Sequence, residues 1–592
     1  MSEQSAPQRP VPLVGDTTSA QQRRDDPAGW AMPPEVVDAL AAVVGGRRDI
    51  RRFRPDPVPD ELLRQVLEAA HSAPSVGHSQ PWRFIVVRSQ TTRDRAAHLA
   101  DRARLEQASE LTSERAARLL DLKLEGLREA PVGVVVTCDR RTPATGVLGR
   151  ATFPDADLWS CACAVQNLWL TARALGLGVG WVTLFDQAEL ADLLHLPDGV
   201  VTLGWLCVGW PDERPPAPGL ERAAWSRKAP LDDVVLQERW PDDSAPPAPP
   251  TSHLRGPEPG RRVDGTDDTD RLLSPPEALG ALDRVLHLVR AATGPDLDTG
   301  TLVLVGADHP VTAHAVSAYD RSVTRDVLTS AVGGISLGAA HARAAGLDVV
   351  VVDAGVGEAH VEGAVDVRPH DPRGDLVTTD AMSAADVRRL MDAGRRLGAG
   401  APGLAPGLVA LGEVGVGNTT VAAALTCALT GTPAADVVGL GSGADADIVA
   451  RKTEVVAAAI DRLGHTDDVL RMLAAVGGPE FAVLTGVVLG AAGAGRPVVL
   501  DGLATSVAAL AAVGIEPSVQ AYLIAGQRSR EKAHGLVLRR LGLEPLLQLR
   551  LRAGEGVGAC LAAGMVLQGM AARRMTVRTS ARTSARTAQR NA

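Results

Sequence analysis

Three arginines and one aspartate fall within five residues at Arg47-Arg48-Asp49-Ile50-Arg51. A planar guanidinium presents two parallel donors, so the cluster suits a phosphate, although it would equally serve as a solvated charged face. His71-Ser72-Ala73-Pro74-Ser75-Val76-Gly77-His78-Ser79-Gln80-Pro81-Trp82 collects hydroxyl, amide and backbone donors of the kind a polar heterocycle requires. Gly412-Glu413-Val414-Gly415-Val416-Gly417-Asn418-Thr419-Thr420 follows one apolar run and opens a helical one. Such a turn offers backbone N–H groups and a positive helix end to a phosphate. A second glycine loop, Gly439-Leu440-Gly441-Ser442-Gly443-Ala444-Asp445, follows a strand-like run and is trailed by Arg451 and Lys452. The first loop has the pattern of neither a P-loop nor a dinucleotide fingerprint. Gly554-Glu555-Gly556-Val557-Gly558 sets one carboxylate among glycines, where it is either a functional group or part of a surface turn.

The elements that must position these residues come in two styles. In the first part, Pro59–Ala70 has apolar positions at helical spacing, and Arg83–Val87 and Val132–Thr137 have the composition of strands. In the second part, the buried-strand runs Leu302–Val305, Val349–Val352, Leu408–Leu411 and Pro497–Leu500 are separated by helical patterns such as Val421–Leu429. Near-continuous Val and Leu strands alternating with helices predict a mostly parallel sheet covered on both faces.

Composition supports a division. All nine tryptophans of the 592 residues lie between Trp30 and Trp240, and residues 241–270, dense in Pro, Gly and Asp, begin where they stop. The expected layout is a disordered start over 1–30, one module over 31–240, a linker over 241–270, a second module over 271–575 and a disordered, Arg-bearing tail over 576–592. A net charge of −9 does not suggest a nucleic-acid partner. Six cysteines without a C-x-x-C pair suggest neither a disulfide framework nor a zinc ribbon, and no metal is expected. No secretory signal is apparent at the start. The most apolar stretch, Phe481 to Gly514, is broken by Arg496 and Asp501 and is too short on either side to span a membrane. A cytoplasmic location is expected.

Over roughly 45–240 the chain resembles the nitroreductase-like flavoproteins, and more closely the 5,6-dimethylbenzimidazole synthases. The resemblance rests on RRDIRRF at 47–53, APSVGHSQPWRF at 73–84, LKLEGLREAP at 122–131, CAVQNLWLTARALGLGVGWVTLFD at 163–186, and on Leu220, Glu221, Trp225 and Arg227. It implies an α+β fold and a homodimer that shares its flavin site. It also implies that Arg47, Arg48 and Arg51 hold the FMN phosphate and ring edge, that Ser75 and Gln80 line the flavin site, and that Gly178 and Gly180 pass close to the ring. Asp49 would be the acid/base group. Thr183 stands where the family has a serine. Reduced FMN, supplied by a separate flavin reductase, and molecular oxygen would be consumed, and Trp82, Trp169 and Trp181 would exclude water.

Over roughly 272–575 the chain resembles the nicotinate-nucleotide:dimethylbenzimidazole phosphoribosyltransferases, through VGADHPVTAHAVSAY at 305–319, GEVGVGNTT at 412–420, GLGSGADADIVARK at 439–452, VVLDGLATSVAAL at 498–510, AHGLVLRRLGLEPLL at 533–547 and LRAGEGVGA at 551–559. This implies a Rossmann-like α/β domain with a small helical part, also dimeric. Glu555 would be the general base and Glu413 would lie near the ribose. Gly415, Gly417, Asn418, Gly441 and Gly443 would hold the phosphate with Lys452 nearby, and Ser317 and Tyr319 would belong to the base pocket. The chain departs from the family at Ala307-Asp308-His309-Pro310, at Glu277–Asp283 and at Asp326, where the family pocket has a glutamine. An ionised carboxylate accepts but cannot donate there. Jointly, the resemblances imply a bifunctional enzyme of cobalamin lower-ligand synthesis, taking nicotinate mononucleotide and dimethylbenzimidazole to α-ribazole phosphate. The other readings are a general nitroreductase and a degenerate nucleotide- or benzimidazole-binding module.

Overall fold

The computed structural model describes residues 19–112, 115–116, 119–120, 122, 126–223, 225–226, 228–240, 278–400, 407–439, 441 and 446–576. Most of the expected linker and tail, Gly443, Arg227 and part of the 122–131 motif lie outside the described residues. The chain divides into two compact units, residues 1–104 with 124–213, and residues 105–123 with 214–592. Composition alone places 105–123 and 214–240 in the first module, whereas their contacts place them in the second unit. Within the stretch expected to be disordered, Ala20–Asp25 forms a short helix, closed by a capping box of Ser19 and Gln22.

The first unit is built on an antiparallel sheet of four strands in the order β1-β2-β4-β3: β1 (Trp82–Val87), β2 (Val132–Asp139), β3 (Gly178–Val182) and β4 (Val200–Gly209). Alternate side chains supply two apolar layers. Val134, Val136, Leu206 and Val208 pack on one face with helices Asp60–His71 and Ala156–Ala174. Val135, Trp205 and Cys207 fill the other face. The expected helix at 59–70 and the strands at 83–87 and 132–137 are present within a residue or two.

The second unit holds a six-stranded, wholly parallel sheet in the order β10-β9-β8-β5-β6-β7. Its strands are β5 (Gly300–Gly306), β6 (Leu347–Asp353), β7 (Val365–Asp366), β8 (Leu408–Val414), β9 (Val498–Leu500) and β10 (Leu523–Ala525). Both faces are buried: Val303, Val305, Val409 and Leu411 point into one core, Leu302, Leu304, Leu408 and Ala410 into the other. This is the covered parallel sheet that the continuous apolar runs predict. The strand-like run before the second glycine loop is instead a short helix, Ala434–Val437, because Pro433 sits at its N-cap and fixes the entry.

The apolar stretch near 481–514 forms two helices, Pro479–Gly493 and Leu503–Ile515, on either side of β9. Among the described residues no helix is long and apolar enough to cross a membrane. Helix Pro479–Gly493 lies directly on helix Ala384–Gly400. A Cβ on Gly394 or Gly398 would stand 2.0 Å from the carbonyl oxygens of Val483 and Val487, and one on Gly486 or Gly490 would stand 2.1 Å from those of Met391 and Arg395. Four glycines thus bring two backbones into contact. Gly486→Ala should push the helices apart and destabilise the second unit by about 1–3 kcal/mol, seen as a lower urea midpoint for its unfolding with the first unit's transition unchanged.

Candidate active sites

In the first unit, β3 lies against the arginine cluster. Asp49 bridges Val179, and the Ile50 N–H donates to the Val179 carbonyl at 3.0 Å. A Cβ on Gly180 would stand 2.2 Å from the Ile50 carbonyl oxygen, and one on Gly178 would stand 2.9 Å from the Ile50 side chain. The bare backbone of these two glycines therefore serves the contact with Ile50. Asp49 Oδ1 accepts from Arg51 Nη2 at 2.9 Å and from the Trp181 N–H at 3.2 Å. Arg51 Nη2 also donates to the Trp181 carbonyl at 3.0 Å, while Nη1 is buried without a hydrogen-bond partner among the described residues. Glu213, which no sequence motif singles out, accepts from the N–H groups of Arg51 and Arg52 at 2.7 and 3.1 Å and fixes the turn.

Arg47 lies 4.5 Å over the Trp169 ring, which meets Trp181 edge to face at 6.4 Å. Arg48 Nη1 donates to the carbonyls of Gly45 and Arg47, both at 2.7 Å. Thr183 follows β3 directly and is exposed. Trp82 is buried in the core, its indole N–H donated to His71 Nδ1 at 3.0 Å.

The other expected flavin residues belong to a loop whose Gly77, His78 and Gln80 take φ values of 52°, 52° and 46°. Ser75 Oγ accepts from the Gln80 N–H at 3.1 Å, and Ser160 Oγ accepts from the Val76 N–H at 3.0 Å. One helix, Ala156–Ala174, thus meets this loop at Ser160 and the Arg48 carbonyl at Trp169. Nine residues separate those points along the helix, or ~13 Å at about 1.5 Å per residue. Within one copy, the Arg47–Arg51 and Ser75–Gln80 groups stand on separate stretches of that helix.

In the second unit, the loop Gly415–Gly417 joins β8 to helix Asn418–Thr430. A Cβ on Gly415 would stand 2.5 Å from the Ala307 carbonyl oxygen, so the loop presses on the end of β5. Gly417 has a φ of 91°, which favours glycine. Lys452 is buried and donates Nζ to Thr419 Oγ1 at 3.1 Å, and a Cβ on Gly441 would stand 2.8 Å from that Nζ. The first glycine loop, Gly441 and Lys452 therefore come together.

Glu413, at the end of β8, is hydrogen-bonded by the Asn418 side-chain amide. Burial pushes its carboxyl up to about 8; the negative charges of Glu480 and Asp501 add to the rise, and the Asn418 bond opposes it. Asp501, which follows β9, accepts from the N–H groups of Gly558 and Ala559 at 2.8 and 3.3 Å. Burial still raises it to about 6.

Glu555 has a φ of 56°, between Gly554 at 66° and Gly556 at 79°. Its backbone is wedged between two other segments: a Cβ on Gly338 would stand 2.2 Å from the Glu555 carbonyl oxygen, and one on Gly412 would stand 2.8 Å from its carbonyl carbon. The Glu555 N–H donates to the Glu413 carbonyl at 3.2 Å. Its Oε2 accepts from the Gly338 N–H at 3.0 Å, at the start of helix Leu337–Ala344. Ser317 Oγ accepts from the Tyr319 N–H at 3.2 Å. Tyr319 and Asp326 are exposed, and no hydrogen bond links Asp326 to Ser317 or Tyr319 among the described residues.

Sequence reasoning missed several groups around this site. His309 and Glu480 form a buried pair, Nε2 to Oε1 at 2.9 Å, with His309 beneath Gly415. Ser529 Oγ is buried and without a hydrogen-bond partner among the described residues. His534 accepts the Ser529 N–H at Nδ1 (2.9 Å) and lies 3.1 Å from Ser506 Oγ through Nε2. Burial lowers it to about 4, so the ring is neutral with its proton on Nε2. A lone carboxylate in an apolar run, as at Glu480 and Asp501, was the available signal.

A phosphoribosyltransferase family model matches residues 258–583, and a nitroreductase family model matches residues 44–210. Nicotinate-nucleotide--dimethylbenzimidazole phosphoribosyltransferase of Bradyrhizobium sp. strain ORS 278 is 40% identical over 298 residues, 49% of this chain and 85% of that protein. 5,6-Dimethylbenzimidazole synthase of Rhodospirillum rubrum is 42% identical over 204 residues, 34% of this chain and 96% of that protein. The crystal structure of CobT from Thermus thermophilus superposes with a TM-score of 0.50 at 38% identity, covering 53% of this chain and 97% of that one.

The Glu413 proton is held more tightly in the folded than in the unfolded chain. Its contribution to stability is therefore complete below about 4.5 and is lost as pH rises through about 8. Glu413→Gln should flatten that loss, making the variant more stable than the parent at pH 8 and no more stable near pH 4.5. Urea unfolding of the second unit at the two pH values measures it.

Proposed function

Because the chain belongs to the phosphoribosyltransferase family through residues 258–583 and to the nitroreductase family through 44–210, we propose that it is a bifunctional enzyme that makes 5,6-dimethylbenzimidazole and attaches it to a phosphoribosyl group. The observation that carries the second activity is the wedge at Glu555. It joins an ionisable carboxylate to the strand end that bears Glu413 and the glycine loop.

In this reading Gly415, Gly417, Asn418, Gly441 and Lys452 hold the phosphate of nicotinate mononucleotide, with Gly443 as a further member and Ser529 adding a free hydroxyl. The Glu555 carboxylate takes the azole N–H proton of dimethylbenzimidazole. The freed nitrogen bonds to C1′, the C1′–pyridinium bond breaks, and nicotinate leaves with the electron pair. Glu413, neutral over much of the physiological range, donates to a ribose hydroxyl. Ser317, Tyr319 and Asp326 border the base.

In the first unit, the buried and unpartnered Nη1 of Arg51, beside Arg47, fits an anionic group such as the FMN phosphate. Arg47, Arg48 and Arg51 would bind the flavin, with Gly178 and Gly180 letting β3 hold them in place. Bound reduced FMN supplies the carbon skeleton, and molecular oxygen is the oxidant. Asp49, held by Arg51 and the Trp181 N–H, is placed to move protons, and Thr183 offers a hydroxyl. A separate flavin reductase supplies the reduced FMN, and the reaction takes place in the cytoplasm. Ser75 and Gln80 reach the flavin from a second copy. Helix Pro34–Gly46 buries no residue and exposes Val36, Val37, Leu40 and Val44, as a subunit interface would. The two activities follow in sequence.

Full-length protein given reduced FMN, oxygen and nicotinate mononucleotide should form α-ribazole phosphate; steady nitroaromatic turnover without loss of FMN would overturn the first half. Glu555→Gln should lower kcat for transfer by about 10²–10⁴-fold and leave nicotinate mononucleotide affinity unchanged by calorimetry. Leu40→Asp should weaken FMN binding at least about tenfold, corresponding to about 1.4 kcal/mol, with transfer from added dimethylbenzimidazole retained. Fluorescence titration and a coupled assay on the same sample separate these outcomes.

A further inference from the structure

Beyond the ends of β5 and β6 lies a cleft of about 1000 Å³ whose walls include Asp308, Arg321, Arg325, Arg368 and Arg373. Among the described residues neither glycine loop contributes to its lining, which sets it apart from the phosphate cradle of the transfer site.

The walls are held in place by hydrogen bonds and ion pairs. Asp353 accepts from the N–H groups of Gly355, Val356 and Val361, each at 2.9 Å. Arg325 donates to the carbonyls of Val356, Ala359 and His360 at 3.3, 2.6 and 3.3 Å. On the opposite wall Asp386 accepts from the N–H groups of His370 and Asp371, both at 2.9 Å, and Arg368 pairs with Asp366.

Two groups facing this space are left uncommitted. Arg373 makes no hydrogen bond or ion pair among the described residues, and its Nε is buried. Burial lowers its guanidinium to about 10, with Glu480 and Asp308 opposing the fall at longer range, so it is charged at neutral pH. Asp308 Oδ2 accepts from the Gly357 N–H at 2.9 Å, but Oδ1 is buried with no hydrogen-bond partner. Arg321 reaches Asp308 only at 3.9 Å. Arg373 is part-buried, and a cation drawn partly from water without a hydrogen-bonded anion is unfavourable, as is an orphaned carboxylate oxygen. One ligand with an anionic end and a hydroxyl would satisfy both.

We infer that this cleft binds a phosphate monoester carrying a free hydroxyl, with the phosphate between Arg373 and Arg321 and the hydroxyl on Asp308 Oδ1. Two available guanidiniums match a dianion better than a carboxylate. The volume suits an ester of pentose size, since small-molecule sites span roughly 300–1000 Å³. The inference does not depend on the transfer reaction.

Calorimetry on the full-length, FMN-loaded protein, with ribose 5-phosphate, inorganic phosphate and ribose as probes, tests it. Ribose 5-phosphate should bind at least about tenfold tighter than either fragment, a gap of about 1.4 kcal/mol. Arg373→Gln and Arg321→Gln should each remove that binding event, and Lys452→Ala should leave it. Equal binding of inorganic phosphate, indifference to both arginine variants, or loss with Lys452→Ala alone would overturn the inference. Without ligand, Arg373→Gln should leave Tm unchanged or raise it, because a part-buried charge without a hydrogen-bonded partner is removed. A fall in Tm would mark a structural arginine and also overturn the inference. Arg321 is largely exposed, so its variant tests binding in a folded protein.

Discussion

The candidate transfer site depends on a close approach of three backbones at Glu555. Residue 555 passes between Gly338 and Gly412 at distances that exclude any side chain on either, and it does so in a left-handed conformation that non-glycine residues seldom adopt. The contact ties the last long helix to the end of β8 and to the start of the helix before β6. Its carboxylate is aimed by the same contact, through the Gly338 N–H. Strain of this kind persists only where the surrounding structure over-determines it, and here flanking glycines on both sides carry the turn.

The units solve a common problem with a common device. In the first, Gly180 lets β3 touch the Ile50 carbonyl and so sets Asp49 and Arg51. In the second, Gly415 and Gly417 let the glycine loop rest on β5 and on the Thr312 side chain. These glycines were visible in the sequence because they come in clusters beside strands. What each one touches was not visible, since Ile50 lies 130 positions from Gly180 and Gly338 lies 217 from Glu555. The central parallel strands were legible as unbroken Val and Leu runs, whereas β10 (Leu523–Ala525) follows a turn of 3-10 helix and has no run of β-branched residues to mark it. His309 and Glu480 were missed for the same reason as Ile50: local spacing cannot announce a pair that only the sheet brings together.

The carboxylates near the candidate transfer site are each treated differently. Asp501 is met by N–H groups at a helix start, which favour its ionised form. Glu480 is paired with His309. Glu413 has only a neutral amide and two acidic neighbours, so it keeps its proton. One crowded region thus holds the carboxylic acid of Glu413 beside the carboxylate of Asp501, a separation produced by what each oxygen touches and not by residue type.

The glycine seam between helices Ala384–Gly400 and Pro479–Gly493 has a consequence for how this chain can change over time. Contact between backbones fixes the separation and rotation of the two helices without reference to any particular side chain. The bulky residues around the seam can drift among similar apolar types, while the four glycine positions have no substitute. Small residues at four-residue spacing are also how helices meet inside lipid bilayers. The most apolar segment of the chain, too short on either side of Arg496 and Asp501 to span a bilayer, is here enclosed by protein, and its seam should be the most slowly varying line in an otherwise permissive core.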